Sequence, residues 1–173
     1  MFFRVSTASA AVFLMSPAAF AAGATPTDPQ IAHIAYTAGV IDIEAAKQAI
    51  EISKNEDVVA FAKDMLRDHE AVNKQAVELV TKLGVTPEDN ETSRSLAKAA
   101  EDERKRLAAL EGAAFDKAYV ENEVAYHGKV NGALETLLIP SAKNAELKDL
   151  LETGLKLFQG HQQHAEHVAK TLN

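Results

Sequence analysis

Apolar residues recur every three or four positions through four long stretches of the chain, and this spacing is typical of amphipathic helices. The four stretches run from about 29 to 53, 56 to 83, 113 to 138 and 145 to 171. The expected boundary signals are Asp28-Pro29, Asn55 and Asn144 as helix starts, and Gly84 and Ile139-Pro140 as stops. Alternating patterns typical of strands are missing from the sequence, which therefore predicts an all-α protein.

The connections between these stretches predict how the helices pack. The first and last connections are short, whereas nearly thirty residues separate the second helix from the third. This long segment contains a highly charged helix, Arg94–Leu110, with only a thin apolar stripe of Leu96, Leu107 and Leu110, and we prefer to read it as a solvated surface helix. The layout predicts a four-helix bundle with one long crossover, an arrangement that occurs in ferritin-like folds.

The N-terminal residues have the pattern of a secretory signal peptide. Arg4 precedes an apolar run, and small residues lead to Ala19-Phe20-Ala21, a typical cleavage site. We therefore expect a signal peptide at 1–21, a short mature segment at 22–28 and one helical domain at 29–173. This organisation predicts a periplasmic or secreted protein.

Charge and cysteine content narrow the possible partners. The sequence has 18 basic and 25 acidic residues, a net charge of −7, and no cysteine. Removal of residues 1–21 takes away Arg4 alone among the charged residues and leaves a net charge of about −8. An acidic chain is a poor partner for nucleic acid, and no second apolar stretch is long enough to span a membrane. Without disulfides, stability must come from the core.

Three histidines, His69, His127 and His161, each occupy an apolar stripe position on a different helix. With a rise of ~1.5 Å per residue, they lie at similar depths of ~15 to ~21 Å from the end where the first two helices join. Three more residues fall near this layer, so the candidate metal ligands are Glu44, His69, Glu123, His127, His161 and His164. Asp68 and Asp116 are candidate outer carboxylates that orient a histidine, and Tyr119 is a candidate hydrogen-bond or redox partner.

Burying several polar groups costs a few kcal/mol apiece unless they are compensated. Two forms of compensation stay open: a bound cation, or a hydrogen-bonded network with water. A site richer in imidazole than in carboxylate suits Zn, Cu, Ni or one non-haem Fe better than Mg or Ca. No nucleophile triad or phosphate-binding loop appears in the sequence, so whether the protein is an enzyme is left open.

Four segments of the sequence resemble a known family: GVIDIEAAKQA, VVAFAKDMLRDHEAVN, GAAFDKAYVENEVAYH and FQGHQQHAEHV. They are similar to a secreted bacterial family called domain of unknown function 4142, and the resemblance covers about 29–172. It implies a ferritin-like bundle and assigns no activity. The family-typical residues that it carries over are Glu44, Asp68, His69, Asp116, Tyr119, His127 and His161.

The sequence also departs from the di-iron pattern of ferritin-like proteins, which needs two Glu-x-x-His pairs. Leu66 stands three residues before His69, and His161 stands three before His164. We therefore expect a transition-metal site for metal handling or for redox and stress protection rather than a typical di-iron centre. The alternatives are a non-enzymatic envelope stress protein whose histidines form a structural polar network, and a module that binds an envelope protein through the charged helix 94–110.

Overall fold

In the computed structural model, residues 25–172 are described, and all their regular structure is helical. The elements are α1 (Asp28–Ile52), α2 (Glu56–Leu83), α3 (Glu91–Ala108), α4 (Gly112–Ala133) and α5 (Ala145–Thr171). Between α4 and α5, the chain continues through a π-helical segment, Leu134–Leu138, and one short turn, Ile139–Ser141. The all-α prediction is confirmed, and the expected signal peptide at 1–21 lies outside the described residues.

The helix ends follow the expected signals with two exceptions, the start of α1 and the expected stop at Ile139-Pro140, where the chain continues helically to Ser141. The Asn55 and Asn144 side chains cap α2 and α5, and Gly84 ends α2 at φ 64°, in the left-handed region that favours glycine. At α1 the cap is Thr27 rather than Asp28, because Thr27 and Gln30 bond each other's backbone N–H groups. Asp28 instead accepts hydrogen bonds from the backbone N–H groups at 143 and 144, at 2.8 Å each, and so fixes the start of α5 against α1.

The four long helices pack in pairs. The main contacts are of α1 with α2 and of α4 with α5, and α2 also packs on α5. The N-terminal end of α4 lies at the α1–α2 turn, where the Ser53 hydroxyl donates to the Asp116 carboxylate at 2.5 Å. This arrangement brings the middle of α1, α2, α4 and α5 to one interior.

Helix α3 is more closely packed than its charged sequence suggests. It runs beside α1 in the same direction, since the backbone at Glu88 bonds that of Pro29 at one end and the Gln48 side chain bonds the Arg104 carbonyl at the other. Leu96 and Leu107 are each only 1% exposed. Helix α3 is therefore a surface helix, as expected, but its thin apolar stripe packs it firmly on the core while most of its other positions are exposed or half-buried.

A polar layer divides the core into two apolar clusters. The cluster near the α1–α2 turn includes Ala45, Met65 and Ala165, and the cluster towards the other end includes Ile34, Val130, Leu134, Leu147 and Leu151. Between them lie the buried polar side chains of Asp42, His69, Glu123, His127 and His161. Buried polar groups destabilise a core unless they are hydrogen-bonded or bind a ligand. This layer is therefore the candidate functional site.

No helix among the residues that the structure describes is both long enough and apolar enough to cross a membrane.

Candidate metal centre

Three imidazoles from three helices form a nearly equilateral triangle inside the protein. The ring centres of His69 on α2 and His161 on α5 are 5.2 Å apart, and His127 on α4 lies 5.7 Å from the first and 5.5 Å from the second. All three residues are at most 5% exposed. The sequence prediction that these histidines face a shared interior is confirmed by their positions.

The ring of Phe158 lies against this triangle. It stacks on His69 with ring centres 4.8 Å apart and an interplanar angle of 11°, and its centre lies 5.9 Å from that of His161 and 6.4 Å from that of His127. Gly154 lies one turn earlier on α5, and a Cβ there would be 3.4 Å from the aromatic ring, an ordinary contact distance. An apolar ring beside imidazoles disfavours their protonated form.

Two of the histidines are oriented by hydrogen bonds on their outer nitrogens. Nδ1 of His127 lies 3.0 Å from the backbone carbonyl oxygen of Glu123, and Nε2 of His161 lies 3.1 Å from Oδ2 of Asp68. Carbonyl and carboxylate oxygens accept, so each of these nitrogens donates its proton. The other ring nitrogens, Nε2 of His127 and Nδ1 of His161, then carry lone pairs and have no hydrogen-bond partner among the described residues.

The third histidine lies between these two and a carboxylate of α1. Nε2 of His69 is 3.5 Å from Oδ2 of Asp42, which is beyond normal hydrogen-bond length, and neither ring nitrogen of His69 has a hydrogen-bond partner in the described part of the chain. The layer thus holds unpartnered buried polar atoms on several residues: Asp42, His69, Glu123, His127, His161 and Tyr119. Such a concentration of unpartnered donors and acceptors is rare in a stable core and points to a ligand.

Asp42 and Glu123 form a buried carboxyl pair beside the triangle. Their side chains are 3% and 1% exposed, and they share a hydrogen bond, which requires a proton on one of them. Burial raises the pKa of Glu123 to about 8, although its hydrogen bond with Asp42 acts in the opposite direction. Burial, with the neighbouring Glu123, also raises the pKa of Asp42 well above its usual range. At neutral pH the pair therefore holds at least one proton.

The pKa values of the three histidines are shifted in the opposite direction, below their usual value. Burial, followed by repulsion from His161, lowers the pKa of His127 to about 4. Burial and the two other imidazoles lower the pKa of His69 well below its usual value, and burial lowers that of His161 despite the opposing contact with Asp68. The three rings are therefore neutral at pH 7, which is the form that binds a metal ion.

Two overlapping sets of side chains have the geometry of a cation site. In the first, His69, His127 and His161 each offer one nitrogen, and in the second, Asp42, Glu123 and His127 each offer one atom; within each set the atoms lie within 4.8 Å of one another. Ligands around a tetrahedral zinc with bonds of about 2.0–2.1 Å are roughly 3.3 Å apart, so side-chain shifts of about an ångström would bring such a set into contact with one ion.

The remaining sequence candidates lie outside these sets. Glu44 is exposed and pairs with Lys47 at 3.6 Å, so the expectation that it faces the interior is wrong. His164 is half-buried against Phe61, with ring centres 5.1 Å apart. Asp116 accepts from Ser53 at the α1–α2 turn instead of orienting a histidine.

Of the outer candidates, two do lie beside the centre. Asp68 orients His161 and is itself bound by Arg67 at 2.7 Å, and the guanidinium lowers the pKa of this carboxyl. Tyr119 is fully buried between Phe61 and Phe115, and its hydroxyl has no hydrogen-bond partner among the described residues. Burial first, then the nearby Glu123 and Asp42, raise the pKa of Tyr119 well above its usual value.

Asp42 is the site residue that sequence reasoning missed. It follows the stripe residue Ile41 and stands four residues after the buried Ala38, so helical spacing places it on the inward face. The signal was present, because an acidic residue at that spacing and at ~15 Å from the helix end falls in the histidine layer. Glu44 lies two positions further, which turns it by about 200° to the outside.

Comparison with known proteins gives one match. A family model described as "Domain of unknown function (DUF4142)" matches residues 14–168. No curated protein and no solved structure shows a significant match to the chain.

Proposed function

This chain belongs to the family of the domain of unknown function DUF4142, and we propose that it binds one transition-metal ion in its core through His69, His127 and His161. Its role is metal handling or redox and stress protection in the bacterial envelope. The family description assigns no activity, so the proposal rests on the side chains.

The observation that carries the proposal is the direction of the imidazole lone pairs. In His127 and His161 the outer nitrogen donates to an oxygen of the protein, and the inner nitrogen is buried without a partner among residues 25–172. Histidine ligands of metals typically show this arrangement, in which the second ring nitrogen donates to a carbonyl or carboxylate oxygen. A core histidine with only a structural role would gain by satisfying its second nitrogen as well.

The donor set favours a particular class of ion. Three neutral imidazoles suit Zn, Cu, Ni or non-haem Fe, whereas Mg and Ca prefer oxygen ligands. Asp42 and Glu123 form the second set together with His127, and either carboxylate would be a fourth ligand when deprotonated. A coordinating carboxylate would have to lose its proton, so metal binding by Glu123 near neutral pH releases a proton.

The fold and the N-terminal pattern support the cellular context. Four long helices with an additional helix between the second and third support a ferritin-like four-helix bundle with one long crossover. The signal-peptide pattern of residues 1–21 supports export to the periplasm or beyond, where the protein would meet metal ions outside the cytoplasm.

Metal content tests the proposal directly. Protein without a histidine tag, purified from the periplasm, is expected to carry or to take up about one equivalent of Zn, Cu, Ni or Fe, and its melting temperature rises because the ion binds only the folded state. His161→Ala should abolish uptake. His167→Ala is the matched control, since His167 is an exposed histidine on the same helix.

The alternative is a structural polar network without a cation. Less than about a tenth of an equivalent of any of these metals, with no change in melting after metal addition, would reject the metal site and favour that network. Equal loss of metal in His161→Ala and His167→Ala would instead place the ion elsewhere on the protein.

A further inference from the structure

An apolar cavity lies on the side of the core away from the α1–α2 turn. It has a volume of about 50 Å³ and is bounded by α1, α2, α4, the π-helical segment and α5. Small residues make the room, among them Ala32, Ala35, Ala38, Ala76, Ala133 and Gly154. Larger side chains at these positions would fill the space, as in a normally packed helical core.

Water is a poor occupant of this cavity. Asn73 is the only lining residue with a polar side chain, and its amide is already held by the Tyr36 carbonyl oxygen at 3.4 Å and packed against Gly39. A buried water typically needs two to four polar partners, and the helix backbones that form the walls use their own groups within each helix. The lining of this cavity therefore favours an apolar occupant over water.

The volume restricts which apolar molecule fits. Cavities of about 150 Å³ hold benzene, so a space of about 50 Å³ has the size for one xenon atom or a diatomic gas molecule and is too small for a ring. Dioxygen is a molecule of this size and polarity.

Phe158 connects the cavity with the candidate metal centre. Its ring lines the cavity and also stacks on His69, with ring centres 4.8 Å apart. The three histidines do not line the cavity, so Phe158 is the lining residue whose ring also contacts the imidazoles.

We propose that this cavity is a binding site for a small apolar gas molecule of the size of dioxygen, held next to Phe158, the ring that stacks on His69. Use of the gas at a metal ion rests on the proposed function, but binding in the cavity does not. The two proposals therefore fail separately.

Two measurements on the metal-free full chain test the site. Crystals pressurised with xenon are expected to show a xenon atom beside Phe158. In methyl-labelled protein under dioxygen pressure, paramagnetic relaxation is expected to be stronger at the methyl groups of Leu134 and Leu151, which line the cavity, than at those of Ala165 and Val120 in the other apolar cluster.

A cavity-filling variant and a matched control make the test specific. Ala76→Leu places a larger side chain in the wall at a half-buried helix position, and Leu79→Phe is a second variant should the first fold poorly. Ala118→Leu is the control, because Ala118 is a half-buried helix alanine packed on the other cluster. We expect xenon binding and the selective relaxation to be lost in Ala76→Leu and kept in Ala118→Leu.

Three results would overturn the proposal. They are ordered water in the cavity in place of xenon, equal relaxation of the methyl groups that line the cavity and of those in the other cluster, or a co-purified acyl chain that occupies the space. Gas binding without metal uptake would contradict the proposed function and leave the cavity site standing. Metal uptake without gas binding would contradict the cavity site and leave the proposed function standing.

Discussion

The backbone carbonyl oxygen of Glu123 lies 3.0 Å from Nδ1 of His127, one helical turn further along α4. Since the carbonyl can only accept, this contact places the ring proton on Nδ1 and leaves Nε2 free to bind a ligand. The carboxylate of Asp68, on α2, likewise accepts from Nε2 of His161, which places the ring proton on Nε2 and leaves Nδ1 free. Two of the three imidazoles are thus oriented by the folded chain itself, before any cation is present, which reduces the cost of binding one.

Asp68→Asn is predicted to weaken metal binding without removing a ligand. The amide can still contact His161 but no longer supplies a negative charge, and loss of such an outer partner typically costs 10–100-fold in metal affinity. The measurement is a competition titration of Zn²⁺ against a chromophoric chelator.

Asp64→Asn serves as the control for Asp68→Asn. Asp64 pairs with the same Arg67 at 2.7 Å but forms no hydrogen bond or ion pair with a histidine among the described residues. An unchanged affinity is expected for this variant. Equal affinities in Asp68→Asn and the wild type would show that the carboxylate does not orient His161 for binding.

Gly39→Ala is predicted to give no gain in stability, in contrast to Gly132→Ala. A Cβ at Gly39 would come to 2.2 Å from Oδ1 of Asn73, so the buried amide must move and lose its contact with Tyr36. At Gly132 a Cβ meets nothing within 4 Å, and replacing a helix-interior glycine by alanine gains about 0.5–1 kcal/mol. Urea denaturation of the metal-free protein measures both.

The pair Gly39 and Asn73 offers a further check. In an Asn73→Ala background the obstacle is removed, so Gly39→Ala should recover the gain expected for a helix-interior alanine. A full gain from Gly39→Ala in the wild type would contradict the role of close packing at this position.

Leu107→Ala is predicted to destabilise the protein by about 2–5 kcal/mol, the usual cost of truncating a buried leucine. Leu107 is 1% exposed and belongs to the apolar cluster near the α1–α2 turn, although it lies on the most charged helix. Lys105→Ala, on the exposed side of α3, should change the free energy of unfolding by less than about 0.5 kcal/mol. If both substitutions had the same small effect, α3 would be a detachable connection and not part of the core.

The fold was predictable from the sequence because the helix signals are local. Apolar stripes and caps such as Asn55 and Asn144 act within a few residues of themselves, and the predicted ends of α2 and α5 agree with the structure. The π-helical segment Leu134–Leu138 was not predicted, since its sequence has no local signal that distinguishes it from an α-helix.

The site was predictable only in part. His69, His127 and His161 were found because each imidazole interrupts an apolar stripe, which identifies the inward face directly. Asp42 and Glu44 differ by two positions in a helix whose neighbours on both sides are apolar, so the face of each carboxylate depended on the rotation of α1 against α2. The spacing from Ala38 and Ile41 favours Asp42 for the inward face, and packing between the helices sets the rotation itself.

The buried carboxyl pair predicts an unusual dependence of stability on pH. The folded protein keeps a proton on Glu123 up to a pKa of about 8, whereas the unfolded chain loses it near 4.5, so the stability from this group is present below pH 4.5 and is lost as the pH rises to 8. His127 acts in the opposite sense: with its pKa lowered from 6.5 to about 4, its contribution is present above pH 6.5 and is lost as the pH falls towards 4. Above pH 6.5 only the carboxyl effect remains, and at about 1.4 kcal/mol per pH unit the free energy of unfolding should fall by roughly 2 kcal/mol between pH 6.5 and 8.

Denaturation of the metal-free protein across this range should show the decline in the wild type and in the control Glu121→Gln, an exposed glutamate on the same helix, but a clearly flatter profile in Glu123→Gln. Identical slopes in Glu123→Gln and the wild type would place the titrating proton on Asp42 and not on Glu123, since burial also raises the pKa of Asp42.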